Sequence, residues 1–265
     1  MVKKELNPQE EIENIVRFIQ NYFVNNSSPN TKAVIGISGG KDSTVAAALL
    51  VRALGKDRVV GVMMPNGEQA DLIDAQRVCT ILDIPNYTMN IGGTCAMLLD
   101  GFGLQTGLPL SDQITTNTPA RLRMAVLYMI ANAVGGRVCN TGNASEFFIG
   151  YTTKYGDLAG DFALFRDYTV SDIYKLGEAL GLPFDLIYKT PADGMSGMSD
   201  EEKTGVPYSV IDAYLFSNKH PEDMAVFEKM MNMHKRNKHK EVVNLPYPQR
   251  VNGFLNRPYE EGFCF

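Results

Sequence analysis

In this 265-residue chain, the stretch Ser38-Gly39-Gly40-Lys41-Asp42-Ser43 has the residue types and spacing that point most directly to chemistry. Two glycines let backbone N–H groups close on an anion, and a helix starting directly after them adds a favourable dipole, so the stretch suits phosphate. Its spacing is neither that of the Walker A loop nor that of the GxGxxG fingerprint. A second candidate is Gly142-Asn143-Ala144-Ser145-Glu146, which follows the apolar run Val138-Cys139-Asn140-Thr141. A third is the segment 150–161, which is small, polar and charged and has no usable period. An irregular loop of that length inside a compact domain is commonly functional. Arg121 and Arg123 lie off the apolar stripe of their helix and close to its expected start. Arginines there oppose the dipole, so they read either as solvated surface charge or as partners of an anionic ligand or carboxylate.

These residues need elements to position them. Residues 33–37 form a β-branched apolar run that reads as a buried strand, and Val45, Ala46, Leu49, Leu50 and Ala53 recur at helical spacing after the glycine turn. A second strand is expected over 59–64, a helix through Leu72, Ala75, Val78, Cys79 and Leu82, and a short third strand over 87–91. Residues 95–99 read as helical. Thr118-Pro119 opens a helix carrying Leu122, Val126, Met129 and Ile130, and Gly135-Gly136 ends it. A fourth strand follows over 138–141. This βαβαβ rhythm predicts a parallel sheet wrapped by helices, with a ligand at the carboxyl ends of the strands. Ahead of it, Asn7-Pro8 starts a helix whose stripe, Ile12, Ile15, Val16, Ile19 and Phe23, must pack on something, a second subunit being one option. Thr169 to Asp172 fits a capping box. Residues 189–206 read as a mobile lid, 209–216 and 221–235 as two helices, and 246–265 as an irregular tail or strap.

The composition narrows the classes. With 45% hydrophobic and 21% charged residues, one large α/β domain is expected. The net charge of −5 argues against a nucleic-acid surface but not against a local anion site. No apolar run reaches membrane-spanning length, and no signal-peptide core follows the first residues. The four cysteines form no CxxC pair and the three histidines no HExxH pattern, so reduced thiols in a cytoplasm are the plain reading.

Ser38 to Ser43 resembles the SGGxDS loop of the ATP pyrophosphatases, which cleave ATP between the α and β phosphates. Ala120-Arg121-Leu122-Arg123-Met124, Asn140-Thr141-Gly142-Asn143-Ala144-Ser145-Glu146, Thr153-Lys154-Tyr155-Gly156-Asp157, Gly160-Asp161 and His239-Lys240 follow in that order. Together they cover most of the chain and resemble the ammonia-dependent NAD synthetases. The resemblance implies an α/β doubly wound parallel sheet flanked by helices, of the adenine nucleotide alpha hydrolase-like kind. It also implies a single domain over 1–265, with a core at about 30–185, a lid at about 189–206, and C-terminal helices and tail over 207–265.

The implied activity is amidation of deamido-NAD to NAD with ammonia, through an acyl-adenylate, releasing AMP and pyrophosphate. By match to the family, Gly36, Ile37, Ser38, Gly39, Gly40, Lys41, Asp42, Ser43 and Thr141 bind ATP. Asp42 and Glu146 hold magnesium, and Arg121, Lys154, Asp161, His239 and Lys240 contact deamido-NAD. Asp157 positions or deprotonates ammonia. A homodimer is implied, with deamido-NAD bound across the interface. No cysteine reads as a glutaminase nucleophile, so free ammonia is the expected nitrogen donor.

The chain also departs from the family pattern. Val170 stands where relatives have lysine, Gly142-Asn143 where they have aspartate–histidine, and Thr190-Pro191-Ala192-Asp193 where they read Pro-Thr-Ala-Asp. Two other readings remain open. One is an ATP pyrophosphatase that amidates or thiolates another nucleotide or a tRNA base. The other is a non-enzymatic nucleotide-binding module.

Overall fold

The run 33–37 is apolar on both sides, and in the computed structural model it becomes the middle of a sheet covered on both faces. The structure describes residues 6–189 and 199–240. Strand β1 (Lys32–Gly36) lies between β2 (Val59–Met63) and β4 (Gly136–Asn140). Outside them run β3 (Asn86–Thr88) and β5 (Phe162–Ala163), giving the order β3-β2-β1-β4-β5. All four pairings are parallel, with Ala33 opposite Val59 and Val34 opposite Val138. The chain winds from β1 outward to β3, then returns to β1's other side. The reversal between β1 and β4 opens a crevice at their carboxyl ends.

Ala33, Ile35 and Ile37 face one helical layer. It contains α1 (Pro8–Asn26), α2 (Lys41–Leu54), α3 (Leu72–Ile81), α7 (Val170–Ala179) and α8 (Phe184–Ile187). Val34, together with Val60, Val62 and Val138, faces α5 (Asp112–Val134) through Ala131. A separate core joins α6 (Ala144–Ile149), the start of α7, α10 (Tyr208–Ser217) and α11 (Met224–Asn237) around Ile149, Val170, Tyr208, Ile211 and Met230.

The α1 stripe corrects one expectation. Ile12, Ile15, Val16, Ile19 and Phe23 are buried in the main core of their own chain, so this face is not what a second subunit would cover. The α5 boundary corrects another. The helix begins not at Thr118-Pro119 but at Ser111, whose Oγ accepts the Ile114 N–H at 3.4 Å. Proline usually marks a helix start because it lacks an N–H. Here a 23-residue helix tolerates the one missing bond at Pro119. Arg121 and Arg123 therefore sit mid-helix, and the argument from the dipole does not apply to them.

Helix α4 (Gly92–Thr106) runs straight through Gly101 and Gly103, well beyond the expected 95–99. Strand β3 is shorter than expected, yet the chain continues along β2, with Met89 N donating to Met63 O and Ile91 N to Pro65 O. Part of the expected lid is an ordinary capped helix, α9 (Asp200–Thr204), with Ser199 Oγ accepting from Glu202 N at 3.2 Å. The remainder of that lid, 190–198, and the tail over 246–265 lie outside the described residues. Among the described residues, no helix is long and apolar enough to cross a membrane.

Candidate active site

The turn after β1 is built to leave backbone donors free. Gly39 has φ +79°, and a Cβ there would lie 2.8 Å from Asp74 Cβ and 2.9 Å from Ala75 N, so only glycine fits between the turn and α3. Ser38 Oγ accepts from Gly40 N at 3.2 Å and lies 3.1 Å from Ser43 Oγ, which ties the turn to the first helical turn. Gly40 caps α2 with no side-chain acceptor. The first-turn N–H groups are thus left for an anion. Gly36, Ile37, Ser38, Gly40, Lys41, Asp42 and Ser43 line a cleft of about 910 Å³, whereas Gly39 points to α3.

The other bank follows β4. Asn140 Oδ1 accepts from Gly142 N at 3.0 Å and turns the chain past Thr141. Asn143 then caps α6: its Oδ1 accepts from Glu146 N at 3.0 Å, and its N–H donates to Glu146 Oε2 at 3.3 Å. Its Nδ2 reaches across the crevice to Asp42 Oδ1 at 3.1 Å. One fully buried residue, Asn143, therefore holds both candidate metal carboxylates, Asp42 through its side chain and Glu146 through its backbone N–H. Asn143 was not among the expected site residues, although the capping-box spacing Asn-x-x-Glu is legible in the sequence. Burial pushes the Glu146 carboxyl well above the ordinary carboxylate range, Asp42 adds to this, and Lys41 opposes it. Magnesium takes oxygen ligands and commonly uses one or two carboxylates, with phosphate and water completing the shell. Asp42 and Glu146, both bonded to Asn143 beside a phosphate-shaped turn, fit that demand.

The segment 150–161 forms the floor and far end. Asn140 Nδ2 donates to the carbonyls of Asp157 (2.7 Å) and Ala159 (3.3 Å), and Gly160 lies too close to Asn140 for any Cβ. Thr153 N donates to Asp157 Oδ1 at 2.6 Å. The Asp157 carboxylate is open to the cleft, yet the protein packed around it raises its pKa by desolvation. The buried Thr152 Oγ1 has no partner among the described residues and belongs to the cleft wall, where a ligand can satisfy it.

From the C-terminal side, the 3-10 turn Lys238–Lys240 clasps this loop. Lys240 Nζ donates to the carbonyls of Gly150 and Thr152, each at 2.7 Å, and Lys154 Nζ donates to His239 O at 2.8 Å. Arg121 Nε donates to Lys154 O at 3.3 Å. Arg121, Lys154, His239 and Lys240 are thus gathered at one end of the cleft. Asp161 is not with them. It lies exposed outside the cleft, with its Oδ2 accepting from Val138 N at 2.7 Å and Tyr128 and Tyr22 beside it.

A parallel α/β sheet with a glycine turn open to an anion after β1, two carboxylates at the switch point and basic residues at the far end is the arrangement of a nucleotide-dependent enzyme of the ATP-pyrophosphatase kind. The profile of the NAD synthase family matches residues 11–244, and this chain belongs to that family. It is 35% identical to the NH(3)-dependent NAD(+) synthetase of Thermoplasma acidophilum, over 90% of this chain and 96% of that protein. Among solved structures it is similar to an NMN synthetase from Francisella tularensis, with a TM-score of 0.82 and 31% identity over 92% of this chain and 99% of that one. It is likewise similar to an NH3-dependent NAD synthetase from Campylobacter jejuni, with a TM-score of 0.71 and 29% identity over 93% and 100% of the two chains. The alternatives of a tRNA- or base-modifying pyrophosphatase and of a non-enzymatic module are not favoured by these relatives.

Proposed function

We propose that the chain amidates deamido-NAD to NAD with ATP and free ammonia. A free carboxylate is a poor electrophile, so the nicotinate oxygen first attacks the α-phosphorus of ATP; pyrophosphate leaves and an acyl-adenylate forms. Ammonia then attacks the acyl carbon, AMP leaves, and the nitrogen loses a proton. The turn 38–43 receives the leaving pyrophosphate on its backbone donors. Asp42 and Glu146 hold magnesium, which supplies charge neutralisation for the departing phosphates. Thr141 and the end of β1 flank the nucleotide. Arg121, Lys154, His239 and Lys240 take the deamido-NAD end, and Asp157, open to the cleft and with its pKa raised by the desolvating protein around it, is suited to accept the proton from nitrogen.

A homodimer completes the reading. Met97 and Leu104 on α4 are 70% and 84% exposed, and Leu98 on the same helix, Leu108 just after it and Met129 on α5 are exposed as well. Asp161, outside the cleft, fits a substrate that extends across such an interface. Reduced thiols in a cytoplasm fit Cys79, Cys95 and Cys139, which are buried and unpaired. Burial pushes the Cys79 thiol up to about 11 and raises that of Cys139 as well, the opposite of an activated glutaminase nucleophile.

The observation that carries this reading is that the span matched to the NAD synthase family, 11–244, contains every residue of the cleft. The test is mass spectrometry of the products from ATP, magnesium, ammonium and deamido-NAD, with nicotinate mononucleotide as a second acid because an NMN synthetase is among the similar structures. NAD, AMP and pyrophosphate are expected. ADP release dependent on the acid substrate, or equal NAD formation from glutamine freed of ammonium, refutes the reading.

A further inference from the structure

A lysine in the first turn of a helix ordinarily runs out into water. Lys41 does not: it is 3% exposed, and its Nζ lies 2.9 Å from Asp42 Oδ2. The rings of Tyr174, on α7, and Tyr208, on α10, close over it, with their centres 6.0 and 5.8 Å from the ammonium. Neither ring supplies an anion. Tyr208 Oη faces Asp200 and Tyr174 stacks on Tyr188. Asp42 engages one of the three N–H donors of Lys41, and the other two have no protein acceptor among the described residues. Glu146 is drawn to the same point through Asn143. A positive charge is therefore already seated at the two carboxylates assigned to magnesium.

We propose that Lys41 is a built-in counter-cation for Asp42 and Glu146, so that the pair accepts magnesium only together with the phosphates of ATP. A divalent ion arriving alone meets the ammonium at a few ångström in a poorly solvated pocket, where like charges repel strongly. An ion arriving on a triphosphate brings its own negative charge, and the two unengaged N–H donors of Lys41 then find phosphate oxygens. The same ammonium opposes the bare metal and favours the metal–nucleotide complex. Uptake of the ion is thereby coupled to uptake of the substrate, and pyrophosphate departs with its magnesium instead of leaving it behind. The inference rests on the assignment of Asp42 and Glu146 as metal ligands.

The test uses the whole chain with magnesium chloride alone, without nucleotide, read by thermal melting and by calorimetric titration. Lys41→Met keeps the unbranched length and removes the charge. The expected result is free-magnesium affinity at least about tenfold tighter in K41M than in wild type, a gain that disappears in the K41M/E146Q double variant. Lys41→Arg, which keeps the charge, is expected to behave as wild type. Equal magnesium affinity in wild type and K41M overturns the proposal, as does a gain that survives E146Q. If K41M does not fold, wild type decides alone: free magnesium bound as tightly as the magnesium–ATP complex overturns the proposal, and weaker binding supports it. The two readings fail separately. Undiminished turnover of E146Q removes the ligand assignment. Equal affinities alongside an inactive E146Q remove only the counter-cation.

Discussion

Asn143 touches two carboxylates, its side-chain amide donating to Asp42 and its backbone N–H to Glu146. At this scale the site is a matter of single charged oxygens. Replacing Asp42 with Asn or Glu146 with Gln keeps the shape and deletes one charge. Each is expected to lower turnover by about 10²–10³, the range for removing one preorganised electrostatic contact, with the melting temperature near that of wild type in E146Q and lower in D42N, which takes from the buried Lys41 ammonium its charged acceptor. A kinetic assay at ordinary magnesium checks this, and wild-type rates in either variant sink the assignment. Asp42 and Glu146 could be singled out in the sequence because the residues around them carry a recognisable pattern, and the structure brings the two to Asn143. Asn143 itself could not be, because the resemblance leads one to expect a histidine there and its role depends on a partner about 100 residues away. The positions of Arg121 and Asp161 were likewise closed to sequence reading. One depends on where a helix begins, the other on which side of β4 a loop returns.

Among the elements, strand, turn and helix from Lys32 to Leu54 could be read almost to the residue, since the apolar period switches from strand to helix across two glycines. The turn depends on Gly39 more than on Gly40, whose added Cβ would meet nothing nearer than Ser38 Oγ at 3.4 Å. Gly39→Ala combines a positive φ with a clash against α3, and a loss of about 1–3 kcal/mol is expected. Urea unfolding measures it, and a change within about 0.5 kcal/mol, the size of an ordinary surface substitution, would show that the turn relaxes without cost. Elsewhere the signals were weaker for identifiable reasons. Strand β5 has two residues and leaves no period to detect. Helix α4 contains Gly101 and Gly103, which read as breakers although the backbone keeps the helix. In α5, Pro119 imitates a start signal inside a helix that began at Ser111.

For the molecule as a whole, the surface of α4 matters most. Met97, Gly101 and Leu104 recur at i, i+4 and i+7, and a Cβ at Gly101 would meet nothing, so an apolar stripe with a gap at its centre faces outward. Since the α1 stripe is already buried within the chain, α4 is the face expected to meet a second copy. Leu104→Glu combined with Leu108→Glu is expected to convert a dimer to a monomer in sedimentation velocity. A wild-type chain that sediments as a monomer, or a variant that still sediments as a dimer, would rule that face out. The sheet order has a further consequence, for synthesis. β1 finds β2 soon after it is made, but its other partner, β4, begins about 100 residues later. At roughly 5–20 residues per second on the ribosome, that is about 5–20 s. During that interval the central strand of the finished sheet has an open edge of unpaired amides and carbonyls. Such an edge readily recruits a stray strand, which makes the half-built sheet the stage at which the nascent chain most needs a chaperone.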